Sequence, residues 1–266
     1  MSLVIGPGSM GFFAMLGVLQ VLENNGKLSN VHEISGASAG SIIGLFMSIK
    51  NPYKVKDIFE RSLSIDVPTY VKPNLQTFLN NFGFVPHQPI KELLIEMCRG
   101  KNPTFKQLKK KLIVSACCIN TQKTEYFSVD THPDMYAIDA VCMSISIPVV
   151  FSPYTWNNNM YVDGGTIEKV PLCPFLHKDP SEVIIVYINN IRNYKTEIKG
   201  VQDFIMACVD TYVNSMEFPC EFLKYEKYGI DSDVYDFNNF SLDYEAKMKM
   251  FILGQDVALQ KSGIDK

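Results

Sequence analysis

The chain has 266 residues, 47% of them hydrophobic and 20% charged, which is ordinary globular usage and excludes disorder, collagen and coiled coil. A chain of this length fits one large domain or two small ones and buries roughly 70–75% of its unfolded surface. A formal net charge of −3 argues against a general nucleic-acid binder, and seven cysteines with no C-x-x-C pair argue against a disulfide framework or a four-cysteine zinc site. That cysteine usage points to a reducing, cytoplasmic compartment. Two uncharged stretches, residues 1–22 and 140–162, are broken by Gly, Pro and Asn before they reach the roughly 20 continuous apolar residues of a spanning helix. Both are expected in the core, and the first lacks the basic leader of a signal peptide.

In chain order, Leu3-Val4-Ile5 predicts a buried strand ending at Gly6-Pro7-Gly8. From Met10 the apolar period becomes helical, through Phe13, Leu16, Leu19 and Leu22, and Asn24-Asn25-Gly26 stops it. Val31 to Ile34 predicts a strand, and Ile42 to Ile49 a buried helix ended at Asn51-Pro52. Strand, turn, helix repeated twice indicates an α/β layer architecture. Residues 53–110 read as mostly helical with proline punctuation. Leu112 to Ile119 and Thr124 to Val129 predict a hairpin, and Met135 to Ile147 a helix. Met160-Tyr161-Val162 predicts a short strand, Val183 to Ile188 a strong one, and Phe204 to Met216 and Tyr244 to Leu259 helices. Asp231 to Asn239 is the expected loop; its aspartates lack the glycine and glutamate of a calcium loop.

The sharpest chemical feature is Gly36-Ala37-Ser38-Ala39-Gly40, a G-x-S-x-G pattern between a strand and an apolar helix. Such a turn holds a serine exposed on strained backbone, with the next amide at a helix N-terminus facing a developing oxyanion. Taken alone, it also fits a small-residue turn. The serine needs a base, but none of the four histidines is well placed for a triad: His177 is the only one after Asp163 and reads as a loop residue. Asp163, after a short strand and before Gly164-Gly165, is the alternative, although an aspartate of ordinary pKa, about 3.9, is a weak base for a hydroxyl. The chemistry then leans on an oxyanion site, and Gly6-Pro7-Gly8-Ser9-Met10-Gly11, opening the first helix, offers clustered amides for it. A dinucleotide fingerprint has similar spacing, but no acidic residue stands where a ribose would need one.

Together these features resemble the patatin-like phospholipase family. Gly6-x-Gly8-x-x-Gly11, Gly36-Ala37-Ser38-Ala39-Gly40 and Asp163-Gly164-Gly165 occur in the family's order, and Ser144 to Pro153 and Pro171-Leu172 are family-like as well. The resemblance covers roughly residues 1–190. It implies a three-layer α/β/α fold with a mostly parallel sheet as the catalytic core over 1–190, followed by a mainly helical extension over 191–266 packed on the same domain. It implies a Ser38–Asp163 dyad, an oxyanion hole from Gly6, Gly8, Ser9 and Ala39, elbow glycines Gly36 and Gly40, and dyad-loop glycines Gly164 and Gly165. It implies a lipid acyl hydrolase acting on phospholipid or acylglycerol through an acyl-enzyme, with no metal or other cofactor and no nucleic-acid partner, and peripheral at membranes.

Three departures bear on activity: Pro7 has no N–H where the family usually has glycine, Met10 stands where a basic residue is common, and Lys169 replaces a common asparagine. They keep open a catalytically weak lipid- or partner-binding module on the same scaffold, and an acyltransferase remains the third reading. The basic run Lys106 to Lys111 is a candidate for lipid headgroups as well as a solvated face. Phe12, Phe13, Met15 and Leu16 are candidates for an acyl channel as well as for core.

Overall fold

A computed structural model describes residues 1–189, 198, 200, 204, 207–208, 211–213, 215–218, 220–232 and 239–263. In order the elements are β1 (Ser2–Ile5), α1 (Phe12–Asn24), β2 (Glu33–Ala37), α2 (Ala39–Ser48), α3 (Val55–Leu63), α4 (Val67–Tyr70), α5 (Leu75–Asn81), β3 (Gly83–Val85) and α6 (Gln88–Met97). They continue with β4 (Lys111–Cys118), β5 (Lys123–Phe127), α7 (Ala137–Ser144), β6 (Val149–Phe151), β7 (Tyr154–Trp156), β8 (Asn159–Asp163), β9 (Val183–Asn189), β10 (Glu226–Asp231) and α8 (Tyr244–Lys261).

The main sheet runs β10-β9-β1-β2-β4-β8-β7, with β5 also on β4. The β10–β9, β9–β1, β1–β2 and β2–β4 pairs are parallel, while β8 joins β4 antiparallel and the β4–β5 and β7–β8 pairs are antiparallel. This is the α/β fold with a mostly parallel central sheet and flanking helices expected from the alternation of periods. The strands in its middle are apolar on both sides because both faces are covered. Leu3 and Ile5 of β1, Ile34 of β2, Leu112 and Val114 of β4, and Ile184 and Val186 of β9 pack with the helices in the larger core. Val4, Ile113, Val183 and Ile185 point the other way, into a smaller core with Val170, Leu172, Phe175 and Phe222.

The short strand expected at Val31 to Ile34 lies two residues later, because Ser2 to Ile5 pair with Glu33 to Gly36. The helix expected over Met135 to Ile147 is limited to α7, since Ser144 to Ser146 turn away to serve other contacts described below. Within 53–110 one segment is a strand: β3 pairs β6 in a separate two-stranded parallel sheet. The edge strand β10 carries no sequence signal, because Glu226-Lys227 and Asp231 flank Gly229, whose missing side chain leaves room for Tyr187. Of the helix expected over Phe204 to Met216, the described residues 204, 207–208, 211–213 and 215 are helical, while the loop over Asp231 to Asn239 falls largely outside the described residues.

Helix α8 crosses α1 at two facing glycines. A Cβ on Gly254 would lie 1.8 Å from the Ala14 carbonyl oxygen, and one on Gly17 2.0 Å from that of Phe251. Beside the crossing, Phe251 stacks on Phe59 at 3.8 Å between centroids, and Lys247 donates to the Ile65 carbonyl at 2.7 Å. Replacing Gly254 by Ala should therefore lower the unfolding free energy by about 1–3 kcal/mol, as overpacking does. Chemical denaturation checks this; an unchanged midpoint would mean the helices are not locked at this point.

Candidate active site

Strand β4 brings the serine and the aspartate together. On one side β2 runs parallel to it, with Ala37 opposite Ser115, and the chain then turns at Ser38 into α2. On the other side β8 runs antiparallel, with Asp163 opposite Ala116. The two side chains thus arrive from either flank of one strand at the same level. The Ser38 hydroxyl donates a hydrogen bond to the Asp163 carboxyl, and the Gly165 amide donates a second at 2.7 Å.

Ser38 has φ 50° and ψ −124°, a strained conformation for a residue with a side chain, costing of order 1–3 kcal/mol. The elbow glycines make that turn possible. A Cβ on Gly36 would sit 2.6 Å from the Gly40 carbonyl oxygen, and one on Gly40 2.2 Å from that of Ile5. The Ser38 amide donates to the Ser144 hydroxyl at 2.8 Å, and the Asp163 amide to the Ser146 carbonyl at 2.9 Å. Two serines at the C-terminal end of α7, Ser144 its last residue and Ser146 just beyond, therefore hold the backbone of both residues.

Burial pushes the Asp163 carboxyl up to about 7; the bonds from Ser38 and Gly165 pull against it without cancelling it. The objection that an aspartate is too weak a base therefore loses its force here. Glu168, half-buried just beyond the loop, is also raised to about 7 by burial, against the pull of the Tyr126 hydroxyl, 2.8 and 2.7 Å from its two carboxyl oxygens, and of the Cys173 and Leu172 backbone. Its amide donates to the Gly164 carbonyl, so it braces the same loop.

The glycine loop behaves differently at each position. The Gly6 amide donates to the Val186 carbonyl at 2.9 Å and continues the sheet, which leaves that N–H unavailable to an oxyanion. Among the described residues the amides of Gly8 and Ser9 have no intramolecular acceptor, and Ala39 heads α2 with its amide likewise unengaged. Pro7 has a packing role: a Cβ on Gly165 would lie 2.7 Å from Pro7 Cβ, so the ring rests against the dyad loop.

Ser9, Ser38 and Ala39 line one cavity of about 170 Å³ whose remaining walls are almost wholly hydrocarbon, among them Phe13, Ile42, Leu94 and Phe240. Of the four residues proposed for a channel, Phe12 and Phe13 line it, while Met15 and Leu16 are fully buried in the core. His32 and His177 are exposed, and His132 packs on Phe127 and Trp156. The histidine that sequence reasoning passed over is His87. Its Nε2 lies 2.7 Å from the Ser146 hydroxyl, which itself donates to the Cys142 carbonyl, so Nε2 carries the proton and donates. Burial, with the nearby Lys91 charge, lowers its pKa to about 4, and it stays neutral. No spacing rule links His87 to Ser146; only the fold does.

A family model for patatin-like phospholipase matches residues 3–176. The chain belongs to the patatin-like phospholipase family. Membership supports a lipid-hydrolysing enzyme. Among its relatives, the uncharacterized protein R571 of Acanthamoeba polyphaga mimivirus is 30% identical over 200 residues, which span 72% of this chain and 67% of the relative. The probable lipid hydrolase 463L of Invertebrate iridescent virus 6 is 27% identical over 273 residues, spanning 97% of this chain and 87% of the relative. Among solved structures, VipD from Legionella pneumophila shares the patatin fold with a TM-score of 0.61 at 16% identity, over 97% of this chain and 66% of VipD. Among the described residues of this patatin-like chain, no helix is long and apolar enough to cross a membrane.

The raised carboxyl fixes the sign of a stability effect. Its pKa stands near 7 in the folded chain against an ordinary 3.8, so the native state holds the proton more tightly than the unfolded one. Stability is then lost as pH rises from about 4 to about 7. Asp163→Asn should flatten this slope and melt higher than wild type above pH 7. Thermal melts across that range check it, and equal slopes in both proteins would show that Asp163 is not the group responsible.

Proposed function

We propose that this protein is a lipid acyl hydrolase in which Ser38 is the nucleophile and Asp163 its base. The observation that carries the reading is the Ser38–Asp163 hydrogen bond on the wall of a hydrocarbon-lined cavity. The acyl chain of a phospholipid or acylglycerol occupies that cavity with its ester carbonyl over Ser38. Asp163 takes the hydroxyl proton as Oγ bonds to the carbonyl carbon, and the carbonyl oxygen becomes an oxyanion. The amides of Gly8, Ser9 and Ala39 point donors at that charge, in place of any contribution from Pro7 or Gly6. Collapse of the tetrahedral species breaks the carbon–oxygen bond of the ester, and the leaving alkoxide takes the proton from Asp163. Water then attacks the acyl-enzyme, giving its proton to Asp163, which returns it to Ser38 Oγ as the fatty acid departs.

A carboxyl near 7 suits this double duty, because it accepts and releases a proton close to neutral pH. Residues 1–190 supply the reacting groups in this reading, and the C-terminal segment completes the cavity through Phe240. The setting is a cytoplasmic one, with substrate drawn from lipid surfaces.

Ser38→Ala and Asp163→Asn should each reduce kcat/KM on a soluble short-chain ester by about a thousandfold or more, and the double variant should be no worse than either. A fluorophosphonate should label wild type at Ser38. Full turnover by Ser38→Ala would end the proposal. In wild type, kcat/KM should rise with pH through a midpoint near 7, as Asp163 must be ionised to accept a proton. Glu168→Gln should retain that limb; losing it there would move the titration from the base to its brace.

A further inference from the structure

In the basic run that sequence reasoning offered for lipid headgroups, the two end lysines are in ion pairs. Lys106 pairs with Asp134, and Lys111 with Glu33 and Asp130. A different surface has the character of a lipid contact. On α5 and its C-terminal cap, Leu75, Leu79 and Phe82 are 65%, 65% and 61% exposed, and their i, i+4, i+7 spacing places them on one face. One flank of the segment is fixed: Phe78 stacks on Phe84 at 4.5 Å, and the Asn74 amide donates to the Phe84 carbonyl at 2.8 Å. The exposed side chains therefore stand on a rigid support.

Two further features identify what meets this face. Residues 67–90 contain a single charged side chain, Lys72, and no acid, in a chain with 28 acidic residues. The segment also grows out of the cavity wall. Val67, Tyr70 and Val71 just before it line the cavity, as do Ile90, Leu93 and Leu94 just after it. Strand β3, which follows α5, pairs β6, whose Phe151 is another wall residue. Three side chains of this kind offer on the order of a few hundred Å², well short of the roughly 1,200 Å² of a stable protein interface. They suffice for reversible insertion into the headgroup–acyl boundary of a membrane.

We propose that the Leu75–Leu79–Phe82 face docks this chain on the surface of a phospholipid membrane, setting the cavity against the layer that holds its acyl chains. The proposal rests on the hydrolase reading for its purpose but not for its test. Vesicles of phosphatidylcholine, and of equal parts phosphatidylcholine and phosphatidylserine, are sedimented with Ser38→Ala protein, so that no lipid is consumed. The same is done after adding Leu75→Gln, Leu79→Gln and Phe82→Asn, the last chosen because Phe82 has φ 62° and asparagine tolerates that conformation. Partitioning should fall about a hundredfold on both vesicles, roughly fivefold for each side chain withdrawn. With Ser38 intact, the triple variant should keep its melting temperature and hydrolyse a soluble short-chain ester within about twofold of wild type.

Equal sedimentation of parent and triple variant overturns the proposal, as does a parent that binds neither vesicle. A wild type that elutes as a dimer where the triple variant elutes as a monomer also overturns it, in favour of a second copy on this face. Failure of the hydrolase reading looks different: wild type binds vesicles through this face yet leaves the soluble ester uncleaved.

Discussion

The Asp163 carboxyl lies in the interior with two hydrogen-bond donors, the Ser38 hydroxyl and the Gly165 amide, and with no cation paired to it among the described residues. A carboxylate buried in that way is expensive to ionise, and its pKa rises until neutral and charged forms are close in energy near pH 7. The group can then take a proton from a hydroxyl and give it up again without a histidine. That balance depends on geometry: one donor is the proposed nucleophile itself, and the other lies two residues along a glycine loop. Exposure to water would lower the pKa, and loss of either donor would raise it.

The rest of the architecture keeps that geometry fixed. Strand β4 acts as a spacer, with β2 delivering Ser38 on one side and β8 delivering Asp163 on the other. The end of α7 pins both backbones through Ser144 and Ser146, and the neutral His87 donates to the Ser146 hydroxyl from α6's N-terminal side. Pro7, a departure from the family's usual glycine, lies against Gly165 and so stiffens the dyad loop where it gives up an amide. What the first loop loses as a donor it contributes as a wall.

The parts readable from sequence were those whose requirement is written in backbone. Gly36 and Gly40 are needed because any Cβ would collide with carbonyl oxygens, and a collision of that kind leaves a glycine at a fixed offset. Strands β1, β4, β8 and β9 are legible because they are buried on at least one face and rich in β-branched or aromatic residues. Three things were illegible for physical reasons. The elevated Asp163 pKa is a property of surroundings assembled from distant segments. The Ser144–Ser146 staple and His87 join residues with no common period. Strands β3, β6 and β7 are three residues each, too short to show alternation, and β10 is an edge strand with charged ends and a central glycine. The direction in which α5 faces is set by the Phe78–Phe84 stack on its flank, so the composition of that helix alone does not reveal an exposed surface.

The family match ends at residue 176, yet Phe240 reaches the cavity from well beyond it, and α8 is wedged against α1 behind that wall. The cavity is thus walled mainly by the matched stretch, with one side chain added from the tail. Both stretches are under tight steric constraint at glycines, Gly36 and Gly40 in the first and Gly254 in the second. The second must only keep one helix crossing and fill one side of a greasy hollow. A substitution at Phe240 would accordingly reshape one side of that hollow while leaving the Ser38 and Asp163 backbones where β4 and its neighbours hold them.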